Sequence, residues 1–465
     1  MFAKQNSNLL INLVFAFLPI SFVLGSGISN INYLIFCCIG IFFLKTDILK
    51  ENYDNYIKII FLFFFIIFFS TLLSLAKALY FNEYDSSNLD RLIKSILFFR
   101  YFLFLIIVYL LNKFDLLNFK YFILSSSCVV ILLSMDVIYQ YTFGEDIIGF
   151  KSFGLRNGGF FGDEYVAGAY IQRFSFFSIL LTSILFINKN YIKYLSIIIL
   201  ITLLSTAILV SGNRMPLVLF LFGLFLLFWV DIKIKKILIL SFISFLTITT
   251  LLFYQNADLK NFYKSYSTNV VDIFSIPIDH WNKKIKKRNE TKEEKIQEDF
   301  ELSKPKLYRV GYTSMHRRLF LTAIDTWKMN KIFGNGIKSF RIDCSKLGQD
   351  VNLEEDFQPY KKNRLCSNHP HNYYLEILTE TGMVGILGSL IILIFTAKFI
   401  IKNYKLLEKS KTENFILLAA VISLVLELFP LRSSGSFFTS SNANYVMLIF
   451  SIILCHKNLL KIKTQ

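Results

Sequence analysis

Proline, cysteine and histidine are all scarce in this chain, at 7, 6 and 5 in 465 residues. No Gly/Ser/Pro-rich stretch separates its parts, which argues against soluble domains joined by linkers. Period-two alternation is missing too, and that excludes a closed barrel as the way across a membrane. No clear small-x-small site follows the first apolar stretch, so residues 1–25, with Lys4 ahead of that stretch, are expected to be a retained helix rather than a signal peptide. Acidic residues are outnumbered, 33 against 50 Lys and Arg, for a net charge of +17. The basic residues form no interleaved basic–aromatic patch, so nucleic acid is not an expected partner. Most of this charge is read as anchoring short loops to anionic membrane lipid.

What the chain has in excess is apolar bulk: 54% hydrophobic residues, with 51 Phe and 24 Tyr. Apolar runs of about 20 residues recur, each long enough to cross a bilayer as a helix. They fall near 8–25, 31–46, 57–76, 92–111, 119–142, 165–187, 191–210, 214–230, 236–255, 383–402, 413–430 and 443–457, about twelve in all. The expected fold is all-α, a polytopic transmembrane helix bundle. Its parts are 1–255, about nine spans with short loops; 256–382, one large polar loop; and 383–465, about three spans and a tail.

Lysine placement orients the bundle. Lys45 and Lys50; Lys113 and Lys120; Lys189 and Lys193; Lys233, Lys235 and Lys236; and Lys402, Lys405, Lys409 and Lys411 fall on alternate connections. The tail adds Lys457, Lys461 and Lys463, whereas the turn at 26–30 has no basic residue and 431–442 has only Arg432. By the positive-inside rule the lysine-rich set and both termini are cytoplasmic, and 256–382 lies outside, since long loops cross largely regardless of charge. Cys37, Cys38, Cys128 and Cys455 fall in or beside apolar runs, while Cys344 and Cys366 share the large loop. An oxidising compartment would join that pair, and closing about 22 residues contributes roughly 3 kcal/mol in the chain-entropy picture. The alternatives are two free thiols, or a zinc site with His369 and His371, whose spacings fit no usual zinc pattern.

Within the large loop, 257–281 mixes aromatic and polar residues and 282–306 is a charge-dense run read as solvated. Residues 311–341 read as ordered, with a helical stretch from Met315-His316-Arg317-Arg318 through Trp327 and then Gly334-Asn335-Gly336 as stop and turn. The loop ends on His369-Pro370-His371-Asn372, just before a new apolar run. His371 is thus a titratable imidazole at the membrane surface, where a water-soluble acceptor can meet a lipid-borne donor. Its structural alternative is a cap on the helix that follows, and His369 and His316 read as surface histidines. Gly382 and Gly385 let the chain turn into the next span.

Ionisable residues in or beside spans are costly, which makes them candidates for function. Arg100, Asp136 and Arg173 lie within spans, Arg156 lies in an outer loop, and Arg214 lies in the short outer turn Val210-Ser211-Gly212-Asn213-Arg214. Several arginines on one side suit a diphosphate, because a planar guanidinium bonds two phosphate oxygens at once. The structural alternatives are an Arg100–Asp136 or Arg173–Asp136 pair, and headgroup anchoring by Arg156 or Arg214.

These residues together resemble a family. His371-Asn372-x-x-Leu375-x-x-Leu378-x-Glu380-x-Gly382-x-x-Gly385 is similar to the signature of the O-antigen ligase and polymerase superfamily. Asp136-x-x-x-Gln140-x-x-x-Gly144-x-Asp146-x-x-Gly149, Arg156 through Gly168, Ser211-Gly212-Asn213-Arg214 and Pro430 through Phe438 resemble further family segments, so the likeness spans about 130–440. It implies a GT-C-like, metal-independent, inverting membrane glycosyltransferase with no cofactor. Such an enzyme moves a glycan from a polyprenyl (undecaprenyl) diphosphate carrier, on the outer face of the bacterial inner membrane, to lipid A–core or another glycan acceptor. It implies His371 as base and Arg214 as the second catalytic residue, with Arg156, Arg317 and Arg318 towards the diphosphate. Arg100 and Arg173 are further candidates there, and Asn372, Glu380 and Asp136 have supporting roles. The charged run at 282–306 departs from the compact loop expected of the family.

The residue chemistry fits independently. Transfer to a hydroxyl needs a base near neutral pKa. A cation about 4 Å from the leaving diphosphate is worth about 4 kcal/mol at an effective dielectric near 20. No DxD pair in the outer loops is poised to hold a metal. Polymerase and protein O-glycosylation activities share this chemistry and differ in acceptor. A different class, a transporter or lipid-linked-glycan flippase, predicts two similar halves, whereas this chain is asymmetric, with one large loop late in its sequence.

Overall fold

The computed structural model describes residues 2–185, 190–230, 235–265, 315–347, 365–407, 412–433 and 435–462. The run at 282–306 lies outside them, as do Lys189, Lys233, Lys409, Lys411 and Lys463 and the side chain of Arg317. The apolar runs become helices: α1 Phe2–Ala16, α2 Leu18–Val23, α3 Ser26–Leu44, α4 Asp47–Lys50, α5 Asn55–Tyr80, α6 Ser86–Lys113, α7 Phe119–Phe143, α8 Ala167–Leu185, α9 Asn190–Val210, α10 Arg214–Val230 and α11 Lys235–Gln255. After the large loop's α12 Met315–Met329 and α13 Phe340–Lys346 come α14 Tyr373–Leu407, α15 Thr412–Glu427 and α16 Ser440–Ile462. Among the described residues there is no strand beyond the isolated bridges Glu145–Lys151 and Phe153–Arg156.

Among the described residues seven helices are long and apolar enough to cross a membrane: α3, α5, α6, α7, α9, α11 and α14. Shorter apolar helices lie at Leu9–Val23, Arg214–Trp229, Phe415–Glu427 and Ser440–Cys455. The chain is a multi-pass membrane helix bundle. The expected spans and the helices coincide in position, but fewer helices reach full length and apolarity. The first run is broken after Ala16 because Pro19 stands in the first turn of α2, where its missing N–H costs least.

Phenylalanine fills the interior. Phe15 packs on Phe36 and Phe122 at ring separations of 5.3 and 5.4 Å, and Phe36 on Phe104 at 5.4 Å, within the range where aromatic pairs attract. Several buried hydroxyls bond back to their own helix, as Ser134 does to Val130 O (2.7 Å) and Ser241 to Ile237 O (2.8 Å). That satisfies them where water is absent.

The connections gather at two ends. One is closed by the Lys113–Glu51 ion pair (2.5 Å) and by Asn12, which bonds Leu116 O (3.2 Å) and the Asn118 amide (2.7 Å). The other collects the start of α3, where residues 26–30 are helical rather than the expected turn, the 144–166 loop, the 211–213 turn, α12, α13 and the 430–439 loop. There Arg100 bonds Asn30 and Ser440 at 3.4 Å each, and Arg91 bonds Asn335 O at 3.3 Å.

At that end α14 is broken. Gly382 has φ +66°, separating a short segment, Tyr373–Thr381, from the long apolar part. A break inside a membrane helix exposes backbone groups that must be satisfied internally. The 331–336 turn does this: the Asn335 and Gly336 amides donate to Thr379 O (3.0 Å) and Glu380 O (2.9 Å). In return, the Met383 and Val384 amides donate to Lys331 O (3.0 Å) and Ile332 O (3.1 Å). Gly334 and Gly382 meet backbone to backbone, leaving no room for a Cβ on either.

Candidate functional site

The segment before α14 is fixed by Asn372. Its Oδ1 accepts from the Tyr374 and Leu375 amides at 3.1 Å each, the N-cap geometry, while its Nδ2 donates to Pro430 O at 2.8 Å. The cap is therefore Asn372, and His371 is the turn residue ahead of it, with φ +56°. This disposes of the capping alternative for His371. Glu376, one turn into the helix, accepts from the Phe437 amide at 2.6 Å, and Tyr374 donates its hydroxyl to Leu428 O at 2.5 Å. The histidine segment is thereby latched to the loop between α15 and α16.

Three histidines meet there. The His371 ring lies 4.2 Å from that of His369 and 5.5 Å from that of His316, which α12 supplies. His316 in turn lies 3.5 Å from the Ser433 hydroxyl. Burial pushes the His369 imidazole down to about 4, helped by the charges of His371, Arg341 and Lys338. Burial, then His371, lowers His316. Two of the three rings are thus biased to the neutral form. Burial and Arg341 also push the Lys338 ammonium down, against the opposing pull of Glu380 and Glu376.

Cys344 and Cys366 are joined in a disulfide with Cα atoms 5.4 Å apart, tying α13 to the strand of chain that leads into His369. With both sulfurs so bonded, neither is a thiolate ligand for zinc. Glu380 serves the loop: its carboxylate accepts from the Lys338 amide at 2.5 Å.

A buried charge cluster backs the site. Glu427, at the end of α15, accepts from Arg173 at 2.6 and 2.9 Å, pairs with Arg432 at 2.7 Å, and accepts the Tyr373 hydroxyl at 2.8 Å. Arg173 also bonds Asn442 at 2.7 Å and lies over the Tyr445 ring at 4.7 Å. Arg173 is thus paired with Glu427 and not with Asp136. Asp136 accepts from the Ile147 amide at 3.0 Å and supports the 144–150 loop. Arg100 does not pair with Asp136 either; its closest bond is to the Tyr101 hydroxyl at 2.7 Å.

Arg156 and Arg214 come together on neighbouring turns. Asn157 donates to Val210 O at 2.6 Å, Asn213 bridges the Gly168 amide and Tyr165 O at 2.9 Å each, and the Leu155 carbonyl and Arg156 Cα close over Gly212. Arg214 lies over the Phe262 ring at 3.5 Å and bonds Ser265 at 3.4 Å; Arg156 lies over Tyr165 at 5.7 Å. Arg173 is five residues along α8 from Gly168, about 7.5 Å of helix rise, so α8 connects this arginine edge to the Glu427 cluster. Arg318 stands on α12, two residues from His316.

An apolar cleft begins at Tyr373 and Tyr374 and continues between α5 and α16, lined by Phe63, Phe64, Ile392 and Phe450 among others. Sequence reasoning missed Glu427, Arg432, Tyr373 and Glu376 as members of this assembly. Glu427 carried a signal: it is an ionised side chain inside the apolar run 413–430, the same criterion that singled out Arg173.

Residues 197–390 match the family model described as O-Antigen ligase. No curated protein matches this chain.

Proposed function

We propose, on the match of residues 197–390 to the family model described as O-Antigen ligase, that this chain is an O-antigen ligase-type glycosyltransferase of the O-antigen ligase/polymerase superfamily. It takes a glycan from a polyprenyl (undecaprenyl) diphosphate at the outer face of the bacterial inner membrane and passes it to a hydroxyl of lipid A–core. The observation that carries this reading is the position of His371. Asn372 does the capping, the ring stands beside two histidines biased to the neutral form, and an apolar cleft begins two residues later.

In the proposed step the acceptor oxygen attacks the anomeric carbon while His371 takes its proton. The bond from that carbon to the diphosphate oxygen breaks, the carrier diphosphate leaves with the bonding electrons, and the anomeric configuration inverts. Arg214 and Arg156, with Arg318, and Arg317 from the sequence, face the growing negative charge. The cleft beside Tyr374 suits the carrier's isoprenoid chain, since its lining is hydrocarbon and aromatic. Arg173 is assigned to the Glu427 cluster rather than to the diphosphate, and Arg100 to the Asn30–Ser440 tie. A polymerase of the same superfamily would use these residues on a carrier-linked acceptor.

The test is transfer from purified polyprenyl diphosphate donor to lipid A–core in liposomes, with EDTA present. His371→Ala should lose about 10²–10⁴-fold in turnover at near wild-type membrane levels. Arg214→Lys should also be impaired, because an ammonium keeps the charge but not the two-pronged contact. Normal turnover by His371→Ala, or strict dependence on added divalent metal, defeats the mechanism. Transfer only to a carrier-linked acceptor would assign the polymerase activity instead.

A further inference from the structure

The loop after α7 has an unusual surface. Phe143, Ile147, Ile148, Phe150 and Phe153 are 69, 66, 65, 42 and 70% exposed. A water-facing loop normally spends its exposure on polar side chains and lets water satisfy its amides. This loop does the reverse. The amides of Asp146, Ile147, Ile148, Gly149 and Phe150 all have internal acceptors. Asp146 donates to Phe150 O (2.9 Å) and Ile147 to the Asp136 carboxylate (3.0 Å). Ile148, Gly149 and Phe150 donate to the Asp146 carboxylate at 3.0, 2.7 and 2.7 Å. Both carboxylates are withdrawn from the surface, Asp136 at 0% and Asp146 at 3% exposure. Apolar side chains out, backbone donors in: that lowers the cost of seating the loop at the headgroup–acyl boundary with its apolar side chains towards lipid.

Its position is equally specific. The exposed face of α7 runs through Leu132, Met135, Tyr139 and Phe143, and Ile147 and Ile148 follow just beyond exposed Glu145. At the neck, Glu145 and Lys151 form a bridge pair, with both side chains exposed. Long charged side chains at such a neck can reach out to headgroups while the apolar side chains beside them face lipid.

We propose that the 144–153 loop is a lipid-facing wedge at the membrane interface, with the side chains of Ile147, Ile148, Phe150 and Phe153 entering the acyl region of the leaflet next to the His371 end of the bundle. Phe153 exchanges both backbone bonds with Arg156, at 3.1 and 3.0 Å. A membrane-seated Phe153 therefore fixes the height of Arg156, and of the Gly212 turn beneath it, against the lipid phosphates. The inference rests on the membrane class of the chain and not on the catalytic reading.

The test uses the full chain reconstituted in phosphatidylcholine vesicles, with Ile148→Trp and, separately, the more conservative Phe153→Trp. Fluorescence added over the parent protein should be quenched by brominated acyl chains as strongly as that of Leu132→Trp on α7, and should resist aqueous iodide. Quenching by iodide without quenching by bromolipid would overturn the proposal. So would shielding from both that disappears when the protein is diluted in lipid, which would mean a second copy covers the tip.

Discussion

The Tyr373 hydroxyl donates to Glu427 at 2.8 Å, linking the residue two after His371 to a carboxylate shared by Arg173 and Arg432. Removing one member of such a buried set leaves the rest uncompensated. Glu427→Gln is expected to destabilise by about 3–5 kcal/mol, because two guanidinium groups lose their shared anion. Tyr373→Phe deletes one hydrogen bond and is expected to cost about 1 kcal/mol. Thermal unfolding in detergent measures both, and equal effects of the two would refute the strut.

Gly382 is the second pressure point. Its φ of +66° and its backbone contact with Ile332 and Gly334 exclude a side chain. Gly382→Ala should destabilise by more than about 1 kcal/mol. The same holds for Gly334→Ala, and because the two share one contact the double variant should lose less than the sum. Strict additivity in unfolding measurements would show that the break is held elsewhere.

These two clusters show what could and could not be seen in the sequence. The positions of the helices were legible because long apolar runs mark them, but not how many reach spanning length. In the His371–Gly385 segment the turn at Gly382 was legible, but the cap was not: the sequence offered His371 for it, and Asn372 makes it. The Cys344–Cys366 pair was visible for its isolation, and the structure joins it. Partner choice was not visible. Arg173 and Glu427 are separated by 254 residues, and nothing local distinguishes Glu427 from Asp136 as the anion that Arg173 meets. Asp136 is instead taken by a loop eleven residues on, a local hydrogen bond that outcompetes a distant charge. His316 was read as a surface residue because its proximity to His371 depends on how α12 docks.

Protonation should loosen the histidine cluster. The folded His369 titrates at about 4, below the ordinary value of about 6.5. Between those values the unfolded chain binds the proton and the folded one does not, so stability falls as pH drops from about 6.5 towards 4 and is fully present above that window. His316 is shifted in the same direction. Hydrogen exchange of residues 365–376 should therefore accelerate on acidification across that window. His369→Gln should remove part of the dependence; an unchanged profile in that variant would exclude His369 as its source.

The last prediction concerns sidedness, on which the proposed chemistry depends. Lys45, Lys50, Lys113 and Lys120 lie at one end of the bundle, with Glu51 paired to Lys113, and the disulfide lies at the other. The positive-inside rule puts the lysine end in the cytoplasm, and a disulfide persists on the oxidising side, so two independent arguments give the same orientation. In spheroplasts of a variant lacking Cys38 and Cys128, an impermeant maleimide should modify Lys331→Cys and spare Leu49→Cys; both positions are exposed in the fold. Non-reducing mass spectrometry should recover the Cys344–Cys366 cross-link, and replacing both by serine should cost roughly 3 kcal/mol. Labelling at Leu49→Cys alone would put His371 in the cytoplasm, where neither the disulfide nor transfer at the outer face is possible.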